Sequence, residues 1–193
     1  LVLDTECSIF QTGNPFARRN RCVAFAYFDG NESGVIPLDY TEPITQEAIG
    51  RISALIKWSN LLIGFNVKVD LHWLRRCGII DSYRDLPKVF DCQNAQFIIE
   101  HQANRYPSLG RSCEYWGLGK KYDIIETEYW DLGIDTPAIP WPVIEARGLG
   151  DVGLTFELYK KQTAYLAEHP DLAKLIDLVN MDLVCLADME WNG

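Results

Sequence analysis

Four carboxylates stand where chemistry could use them: Asp4, Glu6, Asp70 and Asp151. Asp4 and Glu6 close the run Leu1-Val2-Leu3-Asp4-Thr5-Glu6, whose apolar start reads as a buried strand. Two apart on a strand, they point to one face, roughly 7 Å apart at the backbone. An unpaired buried carboxylate is expensive, and a hard divalent cation with oxygen ligands is the usual remedy. For this pair alone, a strand end reaching solvent is the simpler account. Asp70 falls in the first turn of a helix after Gly64-Phe65-Asn66, where the helix dipole favours negative charge, and Asn66 is placed to cap that helix. Asp151 lies within Arg147-Gly148-Leu149-Gly150-Asp151-Val152-Gly153. Each of those glycines costs a helix about 1 kcal/mol relative to alanine. Such a cost is tolerated where a helix must approach a sheet closely, as a site shared with the first strand would need. A loosely packed helix start is the alternative.

The acids depend on the elements that carry them. Residues 1–6, 22–28 and 34–38 read as strands, the last two joined by Asp29-Gly30-Asn31 into an antiparallel hairpin. Thr45–Trp58 has helical periodicity, and Leu61–Asn66 is a buried strand running directly into a helix at Val69–Cys77. Val89–Asp91 is a short strand, with Asp91 placed to cap a helix over Gln93–His101. Further helices are expected over Ser108–Trp116, Pro142–Glu168 and Pro170–Trp191. The segment 119–141, rich in Gly, Pro, Tyr and Trp, reads as irregular; its length for a loop in a compact domain assigns it a functional or packing role. A three-strand meander followed by alternating helices and strands gives an α/β fold, a mixed five-stranded sheet with helices on both faces. That layout resembles the ribonuclease H-like fold.

The 193 residues, 48% hydrophobic, suffice for one substantial core. No run of roughly 18 or more apolar residues reads as a spanning helix. The opening residues lack the basic start of a signal peptide. Six scattered cysteines without a Cys-x-x-Cys pair read as reduced thiols, which favours a cytoplasmic location over a thiolate zinc site. A net charge of −9 argues mildly against a nucleic-acid partner. Metal bound by the four acids would offset part of it, and Arg18-Arg19-Asn20-Arg21 and Lys120-Lys121 would suit phosphate contacts. A solvated loop is the plain reading of either patch alone.

Order and context tie the four acids together. Leu1-Val2-Leu3-Asp4-Thr5-Glu6, Gly64-Phe65-Asn66-Val67-Lys68-Val69-Asp70 and Gly150-Asp151-Val152-Gly153-Leu154-Thr155 resemble, in sequence, the three exonuclease motifs of the DEDD superfamily. The chain is similar over nearly its whole length to the 3′→5′ proofreading domain of family A DNA polymerases, above all those of bacteriophages. Ser108–Gly117 is similar to the helix between motifs in those enzymes. Met189-Glu190-Trp191-Asn192-Gly193 resembles the Glu-x-Asn-Gly element that opens their polymerase part. The resemblance therefore implies an exonuclease domain over 1–187 and the start of a polymerase domain at 188–193.

It also implies two divalent ions, Mg²⁺ with Mn²⁺ able to substitute, clamping the scissile phosphate. Asp4 would bridge both ions, Glu6 and Asp151 would complete the water-activating site, and Asp70 would support the other ion through water. Asn66 and Lys68 could hydrogen-bond the substrate, while Phe10 and Phe65 could stack or wedge the bases of a single-stranded or frayed DNA 3′ end. Core packing competes for both aromatics. The implied partners are that DNA end and the polymerase domain of the same chain, with no membrane, in a monomer working in replication. One departure stands out. Where the family carries a water-orienting tyrosine four residues before the last aspartate, or a histidine five before, this chain has Arg147 and Ala146. Arg147 could pair with Asp151 or contact a substrate phosphate. The expectation is intact metal binding with slowed hydrolysis; none of His72, His101 and His169 fills the gap by spacing. A ribonuclease D-like RNA exonuclease and a non-catalytic domain that holds 3′ ends are the alternatives.

Overall fold

Alternation along the first strand decides how the molecule is layered. In the computed structural model, which describes residues 1–103, 106–121 and 124–193, the strands are β1 (Val2–Cys7), β2 (Cys22–Phe28), β3 (Ser33–Pro37), β4 (Leu61–Gly64) and β5 (Lys88–Asp91). They form one sheet of order β3-β2-β1-β4-β5, antiparallel across β3, β2 and β1 and parallel across β1, β4 and β5. Leu3, Phe25 and Leu62 point to one face, against α1 (Gln46–Lys57), α2 (Val67–Arg76) and the last turns of α7 (Pro170–Asn192). Val2, Ala26 and Ile63 point to the other, against α3 (Cys92–Ile99), α4 (Leu109–Tyr115) and α6 (Trp141–Ala167). With a side-chain period of two, Asp4 and Glu6 share Val2's face, the one that α6 covers.

The α/β mixed five-stranded sheet expected from the sequence is the observed one, and β2 coincides with its expected bounds. The junction after β4 differs. The strand stops at Gly64, and α2 starts at Val67 rather than Val69. Asn66 makes no side-chain cap; it sits in the left-handed region at φ 60°, a conformation asparagine tolerates better than most residues, and so turns the chain sharply. The cap comes from Asp91, whose Oδ2 accepts the Val67 N–H at 2.7 Å while its Oδ1 accepts the Asn94 N–H at 2.8 Å. One buried carboxylate thus caps α3, as expected, and ties down the start of α2 as well.

The segment 119–141 is only partly irregular. It holds α5 (Ile124–Glu128) and two single-turn 3-10 helices, Trp130–Leu132 and Thr136–Ala138; residues 122 and 123 lie outside the described residues. It is bonded to the end of β1: the Thr136 hydroxyl donates to the Cys7 carbonyl at 2.6 Å, and Asp135 Oδ1 accepts the Ile9 N–H at 2.8 Å. The expected boundary at residue 188 falls inside α7, which runs unbroken to Asn192 and packs its end on α2, with the Arg75 guanidinium 4.8 Å from the Trp191 ring. No helix among the described residues is long and apolar enough to cross a membrane.

Of the three glycines around Asp151, one has a steric reason. A Cβ on Gly148 would lie 2.9 Å from Ala26 Cβ and 3.5 Å from a Val35 methyl, so α6 rests directly on β2 and β3. Gly150 and Gly153 face open space, with nothing within 4 Å of such an atom. Close approach to the sheet is therefore the work of Gly148 alone. Gly148→Ala should lower unfolding free energy by about 1–3 kcal/mol through overpacking, against its gain in helix propensity. Gly150→Ala and Gly153→Ala should each raise it by up to about 1 kcal/mol in urea titrations.

Candidate active site

β1 pairs with β2 along its length but meets β4 in register only at Val2 and Ile63. Past that point β1 has a free edge, and the first turn of α2 fills it. Asp70 Oδ1 accepts both the Thr5 N–H, at 2.8 Å, and the Thr5 hydroxyl, at 2.6 Å. A backbone donor that a longer β4 would have taken is thereby satisfied by a carboxylate. Thr5 is locked between Asp4 and Glu6, so Asp70 fixes the strand that presents them. A register shift between Glu6 and Cys7 ends the regular pairing just beyond. This places the acids at the carboxyl ends of β1 and β4, where open α/β sheets form crevices.

From across that crevice α6 contributes Asp151. Carboxylate oxygens of Asp4, Glu6 and Asp151 all lie within 4.8 Å of one another. Asp70 is outside that trio but lines the same cleft of about 610 Å³. Glu6, Asp70 and Asp151 are buried, and Asp4 is half-buried. Burial pushes the Asp4 carboxyl well above the usual range, and the charges of Glu6, Asp70 and Asp151 push it further. Burial also lifts Glu6 to about 7 against the pull of Arg147, lifts Asp70 to about 7 against its Thr5 bonds, and raises Asp151. Glu6 Oε1 and Asp151 Oδ1 have no hydrogen-bond partner although both are buried. A cluster of hard oxygens with unused lone pairs fits Mg²⁺ or Mn²⁺, and the trio could hold one such ion directly.

Two cations already face the cluster. The buried Arg147 has its Nε 3.0 Å from Glu6 Oε1 and 3.8 Å from Asp151 Oδ2. The 3.0 Å contact is a charge contact, because the Nε–H does not aim at the oxygen. The aimed hydrogen bond runs from Nη1 to Glu126 Oε2 at 2.7 Å, with the guanidinium 4.6 Å from the centre of the Trp130 ring. Burial opposes the Arg147 charge, but Glu6, Asp151 and Glu126 together outweigh it and hold the group protonated. Lys121 Nζ lies 3.4 Å from Asp151 Oδ2 and 3.3 Å from Glu126 Oε1.

Of the other residues expected at the site, Phe65 and Asn66 line the cleft. Lys68 does not; its Nζ is bound to Glu190 Oε1 at 2.6 Å, beside α7. Phe10 is not among the lining residues either, and the Arg19 guanidinium covers its ring at 3.7 Å. His72 is buried between the Tyr83 hydroxyl, 2.6 Å away, and Glu190, 2.9 Å away, outside the cleft. Sequence reading missed Thr5, Glu126 and Trp130. Lys121 stood out only as half of a basic pair, and the long segment 119–141 was the signal that a cleft wall lay there.

No protein-family model matches the chain, and no curated protein matches it significantly. Solved structures do. One described as the apo form of a nuclease has a TM-score of 0.72 at 15% identity, covering 100% of this chain and 84% of that one. Brucella melitensis NrnC has a TM-score of 0.68 at 14% identity, covering 100% of this chain and 85% of that one. The same protein with bound Mg²⁺ has a TM-score of 0.63 at 15% identity, with coverages of 100% and 85%. At these identities the likeness establishes the fold: this chain has the ribonuclease H-like α/β architecture found in these nucleases.

Proposed function

We propose that this chain is a metal-dependent 3′→5′ exonuclease that removes nucleotides from DNA 3′ ends, slowed by Arg147. The observation that carries the reading is the trio Asp4, Glu6 and Asp151, whose oxygens converge within 4.8 Å at the base of an open cleft. The fold shared with nucleases, one of them with bound Mg²⁺, supports it. Asp4, Glu6 and Asp151 would hold divalent ions directly, with Asp70 behind them. When bound, such ions supply an activated water and neutralise charge on the scissile phosphate and the departing 3′ oxygen. The chain's own residues set the rest. Asp70 holds Thr5 and so the spacing of Asp4 and Glu6. Phe65 and Asn66 form the wall against which the terminal nucleotide rests. The guanidinium of Arg147 sits against Glu6 and Asp151, where it would have to yield to metal or turn to a phosphate oxygen. DNA as substrate, and service as the proofreading part of a polymerase in a cell's or an infected host's cytoplasm, rest on the motif resemblance; an RNA 3′ end would fit the cleft chemistry equally.

The test is digestion of a 5′-labelled single strand, as DNA and as matched RNA, with Mg²⁺, Mn²⁺ or chelator. Stepwise shortening that needs metal and vanishes in Asp4→Ala is expected, faster on DNA; faster shortening of the RNA would instead make it an RNA exonuclease. Intact strands with either metal would refute the nuclease reading. The buried Arg147–Glu6 contact favours one other reading, a domain that retains 3′ ends without cutting them. Arg147→Tyr separates the two: it should raise turnover on the order of 10–100-fold in a slowed nuclease, and leave a non-cutting domain inactive.

Stability offers a second measurement. Glu6 and Asp70 titrate near 7 in the folded chain and near 4 when unfolded, so the folded state binds more protons between those values. Their contribution is therefore fully present below about pH 4 and is lost as pH rises through about 7. In chelator, Tm should fall by several degrees between pH 5 and pH 7.5, and saturating Mg²⁺ should remove most of that fall. Asp4→Ala should raise Tm in chelator at pH 7.5, since it relieves repulsion, and weaken the response to Mg²⁺. A Tm that is flat with pH and indifferent to Mg²⁺ would contradict the metal assignment.

A further inference from the structure

Beside the cleft, residues 9–21 form a loop that is more tightly built than its sequence suggests. Ile9, Thr12 and Gly13 line the cleft wall. Gln11, Thr12 and Gly13 are consecutive left-handed residues, at φ 48°, 56° and 75°, so two non-glycine positions hold a backbone that side chains disfavour. The rest of the loop is fastened from beneath by one side chain. Arg76 Nη1 donates to the carbonyls of Pro15 and Ala17, at 2.6 and 2.9 Å, and its Nη2 donates to those of Arg18 and Asn20, at 3.2 and 2.8 Å. The buried Asn20 amide adds bonds to the Phe10 and Asn14 carbonyls, at 2.7 and 2.9 Å.

This scaffold holds Arg18 and Arg19 out into solvent, and neither has a carboxylate partner among the described residues. Arg21, by contrast, is used internally: it faces Asp39 at 3.7 Å and donates to the Tyr40 carbonyl at 3.2 Å. The Arg19 guanidinium carbon lies over the ring of Phe10, the residue next to the cleft-lining Ile9, and is 3.7 Å from the ring centre, so its position is set before any ligand arrives. In a chain of net charge −9, two exposed, unpaired guanidinium groups on a braced loop are suited to a polyanion.

We propose that this loop is the track for the upstream part of the substrate strand: with the 3′ end at the acids, the phosphates on its 5′ side cross the rim over Thr12 and Gly13 and are bound by Arg18 and Arg19. The proposal rests on the exonuclease reading and extends it, since it makes a single strand of several nucleotides the preferred substrate. Phe10 acts here as the support of Arg19, and Arg76 as a positioning residue that holds the backbone from Pro15 to Asn20 that carries both arginines. The facing rim offers a competing path, through Arg111 and Lys120, which neighbour the cleft residues Leu109 and Lys121. It has no comparable bracing among the described residues.

Anisotropy of 5′-labelled single-stranded DNA, with Ca²⁺ in place of Mg²⁺ to prevent cutting, tests the track. For a dodecamer, Arg18→Ala/Arg19→Ala should weaken binding about tenfold and reduce the slope of log K against log salt by about 1.4, at about 0.7 per lost phosphate contact on a single strand. A trinucleotide, seated at the acids and not extending to Arg18 and Arg19, should lose less than twofold. Arg111→Ala/Lys120→Ala removes equal charge from the other rim and should leave most of the slope in place. Far-UV circular dichroism of both double variants checks that they fold. An unaltered slope in Arg18→Ala/Arg19→Ala, an equal loss on the trinucleotide, or a slope carried by Arg111 and Lys120 would each overturn the track while leaving the exonuclease reading standing. Wild-type protein that binds neither strand would overturn both.

Discussion

Carboxylates repel one another more strongly as water is withdrawn, and at the end of β1 four of them are crowded into one partly dry cleft. Most of the surrounding structure can be read as a response to that crowding. The parallel pairing of β1 with β4 stops early, and the freed Thr5 N–H goes to Asp70, which brings that carboxylate beside Asp4 and Glu6. α6 could not bring Asp151 within reach unless it lay directly on β2, which Gly148 and Ala26 together permit. The segment 119–141 could have been a short crossover. Instead it is pinned to the end of β1 through Asp135 and Thr136 and delivers Lys121 and Glu126 to the same cleft.

Arg147 is the most informative part of this response. A guanidinium is seldom buried without strong compensation, and here it meets Glu6, Asp151 and Glu126 at once, with an aromatic face beside it. Its charge opposes the upward push that burial gives to the Glu6 and Asp151 carboxyls. The same contact sets it against metal, because the oxygens it neutralises are those that an ion would use. Glu126 moderates the conflict. By accepting the aimed hydrogen bond at 2.7 Å, it gives the guanidinium an anchor away from Glu6 and Asp151. A cation that is tethered to one side of a metal site can yield its contacts without leaving the cleft.

What the sequence disclosed and what it hid follow from the range over which each interaction acts. The sheet, its order of elements and the four acids were legible because strand alternation and helix periodicity are local, and because Asp4, Glu6, Asp70 and Asp151 lie in short recognisable contexts. The cap of α2 was misassigned to Asn66, since nothing local distinguishes an asparagine cap from an asparagine in a left-handed turn when the true cap, Asp91, comes from another strand. Lys68 was placed by motif position and Phe10 as an aromatic able to stack on bases, but the partners each has in the fold, Glu190 and Arg19, are set by tertiary contacts that no spacing encodes. Glu126 and Trp130 were invisible for the same reason. They belong to a segment with no periodicity, and only its unusual length hinted at a role.

The strongly negative charge, at first an objection to a nucleic-acid partner, takes on a different meaning once the charges are located. Exposed charges are screened beyond about 8 Å at physiological salt, so a distant acidic surface does little to a strand already seated in the cleft. It acts mainly on encounters elsewhere, where it discourages non-specific attachment along a polyanion. Because Arg147 and Lys121 are engaged by the cleft's own acids, a phosphate would be held there only if metal or a freed guanidinium offset Glu6 and Asp151. An internal stretch of duplex could touch Arg18 and Arg19 on the rim but could not bring a 3′ end to the acids. A free end entering the crevice at the ends of β1 and β4 would meet acids whose charge a bound metal can offset. On the exonuclease reading, end-selective recognition by so acidic a protein would follow from where its exposed and displaceable positive charges sit.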